Sequence, residues 1–149
     1  MSVDVYLLPL QPDEDFEAAM VLFTGLEDRT MSVESSFDVR PLHEVIMKLD
    51  PRYQRTETKY AEVARFVKGI GGDLNDHFLS LHGKSEAGLP LSQFNFHRGY
   101  VIIHEYPGTT SDQMDRFIDT ICRSTGLAVV YPAFGEVHRV GDEGWFSPS

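Results

Sequence analysis

Hydrophobic positions between residues 98 and 140 follow a strand–helix–strand pattern. The run from Tyr100 to Tyr106 is rich in β-branched and aromatic residues and predicts a buried strand that ends at Pro107-Gly108. A helix is predicted next, and its apolar residues recur at helical spacing: Met114, Phe117, Ile118, Ile121 and Cys122. The apolar run from Leu127 to Tyr131 predicts a second strand, so this block indicates a folded α/β domain with a buried sheet.

The period of the hydrophobic pattern changes along the preceding part of the chain. Residues 3–10 predict a first strand, residues 13–49 predict two amphipathic helices, and a third helix begins near Glu57. Alternation between residues 78 and 97 then predicts two antiparallel strands. The resulting order predicts an α+β fold. We expect a mixed, largely antiparallel sheet with helices on one face, close to a split β-α-β arrangement.

The length of 149 residues suits one domain with its own core. We predict a single α/β domain over residues 1–140 and a short tail over residues 141–149. The N-terminal segment lacks the basic and apolar regions of a signal peptide, and no apolar run approaches the ~20 residues of a membrane helix. The single cysteine, Cys122, has no internal disulfide partner. These features predict a cytoplasmic protein with no membrane partner.

The net charge of −10 is unevenly distributed along the chain. Residues 1–39 hold nine acids and one base, whereas residues 40–72 hold seven bases and four acids. Such an acidic protein is repelled by nucleic acid phosphates and attracts basic proteins. We therefore expect a basic protein partner and no nucleic acid. Solubility alone is an alternative role for the charge, and a homodimer is left open.

Two segments are candidates for partner binding. Their residues carry either a charge or a large aromatic ring in a polar context: Asp13, Glu14, Asp15, Glu17, Trp145 and Phe146. The four acids also suit the start of a helix, where carboxylates cap free amides. The two aromatic rings could instead pack back on the core. Both readings therefore remain open for each segment.

Catalytic motifs are not found in the sequence. It contains no nucleophile elbow, no phosphate-binding loop after a strand and no zinc-type ligand spacing. We therefore predict no catalytic residue, no cofactor and no metal site. The alternative is a small metal-dependent or hydrolytic enzyme that uses strand histidines, namely His82, His97 or His104, together with Glu105 at the end of a strand. Whether the protein is an enzyme stays open, with binding favoured.

Short motifs at both ends of the chain resemble a known group of proteins. The start Met1–Leu7, the strand Val101–Ile103, the turn Thr125–Leu127 and the pair Tyr131-Pro132 are similar to those of small uncharacterised bacterial α/β proteins. Some members of that group are encoded beside secreted toxins and look like immunity proteins. The resemblance implies the role of an immunity-type inhibitor and no particular site residues, and the acidic charge predicts that the inhibited toxin or effector is basic.

Overall fold

The computed structural model describes residues 3–28, 30–33, 37–55, 79–97 and 99–145, and within these residues an antiparallel sheet forms the centre of the fold. Its strands are β1 (Val3–Leu8), β2 (Gln54–Arg55), β3 (Leu79–His82), β4 (Gln93–His97), β5 (Tyr100–Glu105), β6 (Ala128–Tyr131) and β7 (Glu136–His138). Their order across the sheet is β2-β3-β4-β5-β1-β6-β7, and each pairing of neighbours is antiparallel.

The described helices are α1 (Phe16–Glu27), α2 (Val39–Leu49) and α3 (Ser111–Thr125). The helix predicted near Glu57 lies outside the described residues. The predicted α+β class is confirmed, because helices and an antiparallel sheet make up the fold. No helix in the described ranges has both the length and the apolar character needed to cross a membrane.

The predicted split β-α-β unit is present at the centre of the sheet. Strand β1 is antiparallel to both β5 and β6, so those two strands run parallel to each other on either side of it. Helix α3 connects them along the chain. The Thr110 hydroxyl caps α3 by accepting from the Gln113 amide, and Gly126 ends it with a positive φ of 77°.

The helices pack on both faces of the sheet, so the prediction that they lie on one face is wrong. Successive residues of a strand point to opposite faces. Val5 and Leu7 belong to the larger core with α2 and α3, whereas Tyr6 and Leu8 pack with α1 in a second core. The physical reason is that β1 is buried on both sides from Val5 to Leu8, and two apolar faces need two covering layers.

Helix α2 buries a histidine in the larger core. Its buried residues include Leu42, His43 and Ile46, whereas Val45 and Leu49 are exposed. The His43 ring is fully buried, 4.6 Å from the ring of Phe96. Burial, followed by the positive charges of Arg55 and Arg40, lowers the pKa of His43 to about 4. The imidazole is therefore neutral at pH 7, and its Nδ1 accepts a hydrogen bond from Arg55 Nε at 3.3 Å.

The single cysteine is a core residue of α3. Cys122 is buried in the larger core with Ile118 and Ile121. Burial, and secondly the charge of Asp119, raises the pKa of its thiol to about 12. A thiol of that kind stays protonated at pH 7, so Cys122 contributes packing.

Candidate functional site

A groove of about 490 Å³ lies where β5 ends and α3 begins. Side chains from four parts of the chain line it, among them Val3, Glu105, Tyr106, Thr109, Met114, Asp115 and Tyr131. We call this the acidic groove. A smaller cavity of about 200 Å³ adjoins it, because Asp115 and Tyr131 line both spaces. The remaining walls of this aromatic cavity are Ile118, Val129, His138, Gly144 and Trp145.

The split β-α-β unit places these side chains together. Because β5 and β6 are parallel, their carboxyl ends meet at one edge of the sheet, with β1 between them. Glu105 is the last residue of β5 and pairs with Val3, and Tyr131 is the last residue of β6. The start of α3 packs over the same edge and contributes Met114 and Asp115. The topology thus brings together residues that are far apart in sequence.

A buried hydrogen-bond network supports the wall of the groove. The Tyr53 hydroxyl donates to the Ser92 carbonyl oxygen at 2.7 Å, and the Ser92 amide donates to the Thr109 hydroxyl oxygen at 2.8 Å. The Tyr106 amide donates to the Ser92 hydroxyl oxygen at 3.0 Å. Tyr53 is 3% exposed and Ser92 is 1% exposed, so water competes little with these bonds. The network holds the connection between β5 and α3 in one conformation.

The connection also packs closely on the neighbouring loop. The Gly108 amide donates to the Pro90 carbonyl oxygen at 2.9 Å. A side chain at Gly108 would collide with that same carbonyl oxygen. Only glycine allows the two backbones to approach so closely here. Gly108 therefore lets the connection between β5 and α3 pack directly on the neighbouring loop.

The two carboxylates of the groove are partly desolvated and have no side-chain partner among the described residues. Burial, and secondly the charge of Asp115, raises the pKa of Glu105. Burial, and secondly the charge of Asp112, raises the pKa of Asp115. The side chains of Glu105 and Asp115 make no hydrogen bond or ion pair in the described part of the chain, and no described Lys or Arg lines the groove or the cavity. The site therefore favours a cation.

Tyr131 lines both the acidic groove and the aromatic cavity. Burial raises the pKa of Tyr131 to about 12, and the charges of Asp115 and Glu105 act in the same direction. Its ring meets the ring of His138 at 65° with 5.9 Å between centroids. Tyr131 therefore stays neutral and presents an aromatic ring beside negative charge.

Trp145 folds back on the domain and also lines the cavity. Its indole Nε1 donates to Asp119 Oδ1 at 2.8 Å, and Arg123 Nε donates to the same oxygen at 2.7 Å. The ring packs against the larger core. Its predicted role in partner binding stays a prediction, as does the division of the chain at residue 140. Phe146 lies outside the described residues.

The four N-terminal acids predicted to bind a partner cluster at the start of α1: Asp13, Glu14, Asp15 and Glu17. Asp15 is the N-cap, because its Oδ1 accepts from the Ala18 amide at 3.0 Å. Glu14 Oε1 accepts from the Gln11 amide at 2.8 Å. Nearby, Arg139 donates to the backbone carbonyls of Gln11 and Glu14. Two of the four acids thus organise their own backbone, and we call this stretch the acidic segment.

The three candidate histidines lie on one face of neighbouring strands without converging. His104 pairs with Gln93, and His82 follows Leu81, the partner of Phe94. Gln93 therefore separates His82 from His104 by two strand spacings, about 9.6 Å. His97 lies four residues further along β4, about 13 Å from Gln93.

The residues of the alternative enzyme site are not brought together in the described part of the chain. Nδ1 of His104 lies 2.6 Å from Oδ1 of Asp4, so this imidazole already has a partner. Glu105 follows His104 directly in β5 and therefore projects from the opposite face. In the ranges that the structure describes, no three His, Cys, Asp or Glu side chains form a metal-binding group. Strand alternation places Glu105 on the face opposite the three histidines, and an enzyme site built on the histidines stays a prediction.

Sequence reasoning identified Glu105 but missed Asp115 and Tyr131. Asp115 lies between Met114 and Ile118, at the margin of the apolar stripe of α3. One sequence signal could have indicated Asp115. It is a carboxylate at the margin of the apolar stripe, near the start of a helix that follows a strand ending in Glu. Nothing local marks Tyr131, since it differs from other strand tyrosines only in its tertiary neighbours.

Comparison of the chain with protein-family models, with curated proteins and with solved structures found no match. The resemblance to immunity-like bacterial proteins therefore stays an expectation. What the site can do is argued below from its geometry and charge.

Proposed function

We propose that this protein is a cytoplasmic protein-interaction module that binds a basic partner protein in the acidic groove. The observation that carries this proposal is the pair Glu105 and Asp115, two partly desolvated carboxylates with no ion pair among the described residues. A lysine or arginine of the partner would neutralise them without first breaking an internal ion pair. The cation would stabilise the charged form of each carboxylate, which partial burial has removed from water.

The walls of the groove and cavity suit a protein partner. Tyr106, Tyr131 and Trp145 are large and partly exposed, and tyrosine and tryptophan dominate the energetic centres of interfaces. The net charge of −10 would speed the encounter with a basic protein and disfavour nucleic acid. The specific role that we infer is an immunity-type inhibitor of a basic toxin or effector, as the sequence resemblance implies.

Affinity capture from the cells that express the protein tests the proposal. Three forms are compared: the wild type, the groove variant Glu105→Gln/Asp115→Asn, and the matched control Asp13→Asn/Glu17→Gln. Both variants remove the same charge, but Asp13 and Glu17 are exposed. The wild type and the control should retain a basic protein that the groove variant loses, with affinity for that protein falling about 100-fold.

Melting temperatures of the three forms establish that all are folded. Loss of the partner in the control but not in the groove variant would move the site to the acidic segment. A wild type that captures no basic protein would contradict the proposal. For the immunity role, the captured protein should arrest growth when expressed alone and become harmless when co-expressed. Growth arrest that persists on co-expression would contradict that role.

A further inference from the structure

We propose that the aromatic cavity receives the side chain of one arginine of the bound partner. This inference rests on the proposed function of the adjoining groove. It depends on a different set of walls, since only Asp115 and Tyr131 are shared between the two spaces. The cavity volume of about 200 Å³ suits a single long side chain rather than a larger segment.

The chemistry of the walls matches a guanidinium. The rings of Tyr131, His138 and Trp145 supply flat surfaces, and Ile118 and Val129 supply apolar contact for an aliphatic stem. Asp115 adds one carboxylate at the boundary with the groove. A planar guanidinium stacks on aromatic rings, forms two parallel bonds to a carboxylate and is weakly hydrated. A lysine ammonium lacks all three properties, so arginine is the better occupant.

Asp119 determines which carboxylate the arginine would meet. It is 4% exposed and accepts bonds from both the Trp145 indole and the Arg123 guanidinium, so its charge is already compensated. Asp115 has no such partner among the described residues and remains for an incoming cation. Asp119 also fixes the indole as a wall of the cavity, which makes it a positioning residue.

The cavity and groove together set how a partner would enter. Because Asp115 and Tyr131 border both spaces, a side chain inserted into the cavity leaves its backbone in the acidic groove. A second basic residue next to that arginine would then lie towards Glu105. A partner segment with adjacent basic residues therefore fits the two spaces better than an isolated arginine.

Fluorescence of Trp145 tests the assignment, since it is the single tryptophan of the chain. The full chain is titrated with N-acetyl-arginine amide, with the lysine analogue and with the neutral, isosteric citrulline analogue. We expect a saturable change in emission with the arginine compound, a several-fold weaker affinity for the lysine compound and no saturation with the citrulline compound.

Variants of the cavity make the test specific. Asp115→Asn should weaken the arginine compound about tenfold. Asp13→Asn is the matched control, because Asp13 is an exposed acid that lines neither space. Tyr131→Phe should retain affinity and Tyr131→Leu should lose it, as expected for stacking on a ring.

Three results would overturn the arginine assignment: saturation with the citrulline compound, equal or tighter binding of the lysine compound, or no effect of Asp115→Asn. The two proposals fail distinguishably. If the groove variant loses a captured basic protein but the arginine compound never perturbs Trp145, only the cavity assignment fails. If the arginine compound saturates but no basic protein is captured, the function proposed for the groove fails.

Discussion

The acidic segment at residues 13–17 and the acidic groove contain the same kind of side chain in opposite settings. In the segment, the carboxylates of Asp15 and Glu14 accept hydrogen bonds from backbone amides. In the groove, Glu105 and Asp115 are partly desolvated, repel each other and have no described partner. The segment has the higher charge density along the sequence, but the carboxylates of the groove are partly buried and would gain more from a bound cation. The proposal therefore places the binding site at the partly buried carboxylates of the groove, and the predictions below compare the two regions.

The largest expected effect on stability comes from protonation of His43, which limits the pH range in which the acidic segment and the acidic groove can be compared. The folded-state pKa of His43 is about 4, below its ordinary value of 6.5, so the unfolded chain binds more protons between these values. The stability that neutral His43 contributes is fully present above pH 6.5 and should fall by about 3 kcal/mol as the pH approaches 4, in addition to the loss from other groups such as His97. Urea unfolding at several pH values measures this loss.

His43→Leu is the control for that titration, because it cannot take up the proton. His97, whose pKa is also lowered to about 4 by burial and by His104, remains in both forms. The variant should therefore lose less stability on acidification than the wild type. Equal losses of stability in the wild type and in His43→Leu would show that folding does not hold His43 neutral. The segment and the groove could then be compared at lower pH.

The next effect concerns the acid that is already paired near the groove. Asp119→Ala removes the acceptor of Trp145 and Arg123 and should lower the free energy of unfolding by about 2 kcal/mol. It should also weaken the response of Trp145 to the arginine compound. Asp119→Asn keeps one oxygen acceptor and should lose less than half as much. If Asp119→Ala changed neither the free energy of unfolding nor the response of Trp145, the hydrogen bond to Asp119 would not position the indole.

A smaller effect is expected in the acidic segment. Asp15→Ala should destabilise the protein by about 1 kcal/mol through loss of the α1 N-cap, whereas Asp15→Asn should be within a few tenths. Thermal unfolding measures both. Neither variant should change affinity for the captured partner more than about threefold, because exposed charges affect mainly the association rate. A tenfold loss of affinity for the partner with Asp15→Asn would show that the acidic segment takes part in binding and would contradict the contrast with the groove.

The smallest effect has the opposite sign. The pKa values of Glu105 and Asp115 are raised in the folded state, so their stabilising contribution is lost as the pH rises through those values. At pH 7 the groove variant Glu105→Gln/Asp115→Asn should thus be more stable than the wild type, by a few tenths of a kcal/mol after solvent screening. That advantage should shrink as the pH falls towards 4. Destabilisation at pH 7 would indicate a hidden partner.

Local patterns were sufficient to predict the centre of the fold. The apolar runs on either side of α3 predicted a split β-α-β unit, and its cap at Thr110 and its end at Gly126 follow from residue type. The alternation between residues 78 and 97 predicted two antiparallel strands, and β3 and β4 do pair antiparallel. Each of these features depends on neighbours within a few residues.

Long-range placement could not be predicted in the same way. That α1 covers the face opposite α2 and α3 depends on where β1 inserts in the sheet. The meeting of Glu105, Asp115 and Tyr131 has the same origin, since β1 sets the spacing between β5 and β6. The sequence marks each residue as polar or aromatic but does not show that they share one space.

Carboxyl titration by carbon-13 NMR tests the central claim most directly. In the free protein, Glu105 and Asp115 should titrate above their ordinary pKa values, whereas Asp50, which the Arg52 guanidinium contacts, should titrate below its own. Adding N-acetyl-arginine amide should lower the pKa of Asp115 and leave that of Asp50 unchanged. Ordinary or lowered pKa values for Glu105 and Asp115 in the free protein would contradict the account, because the two carboxylates would then already be compensated.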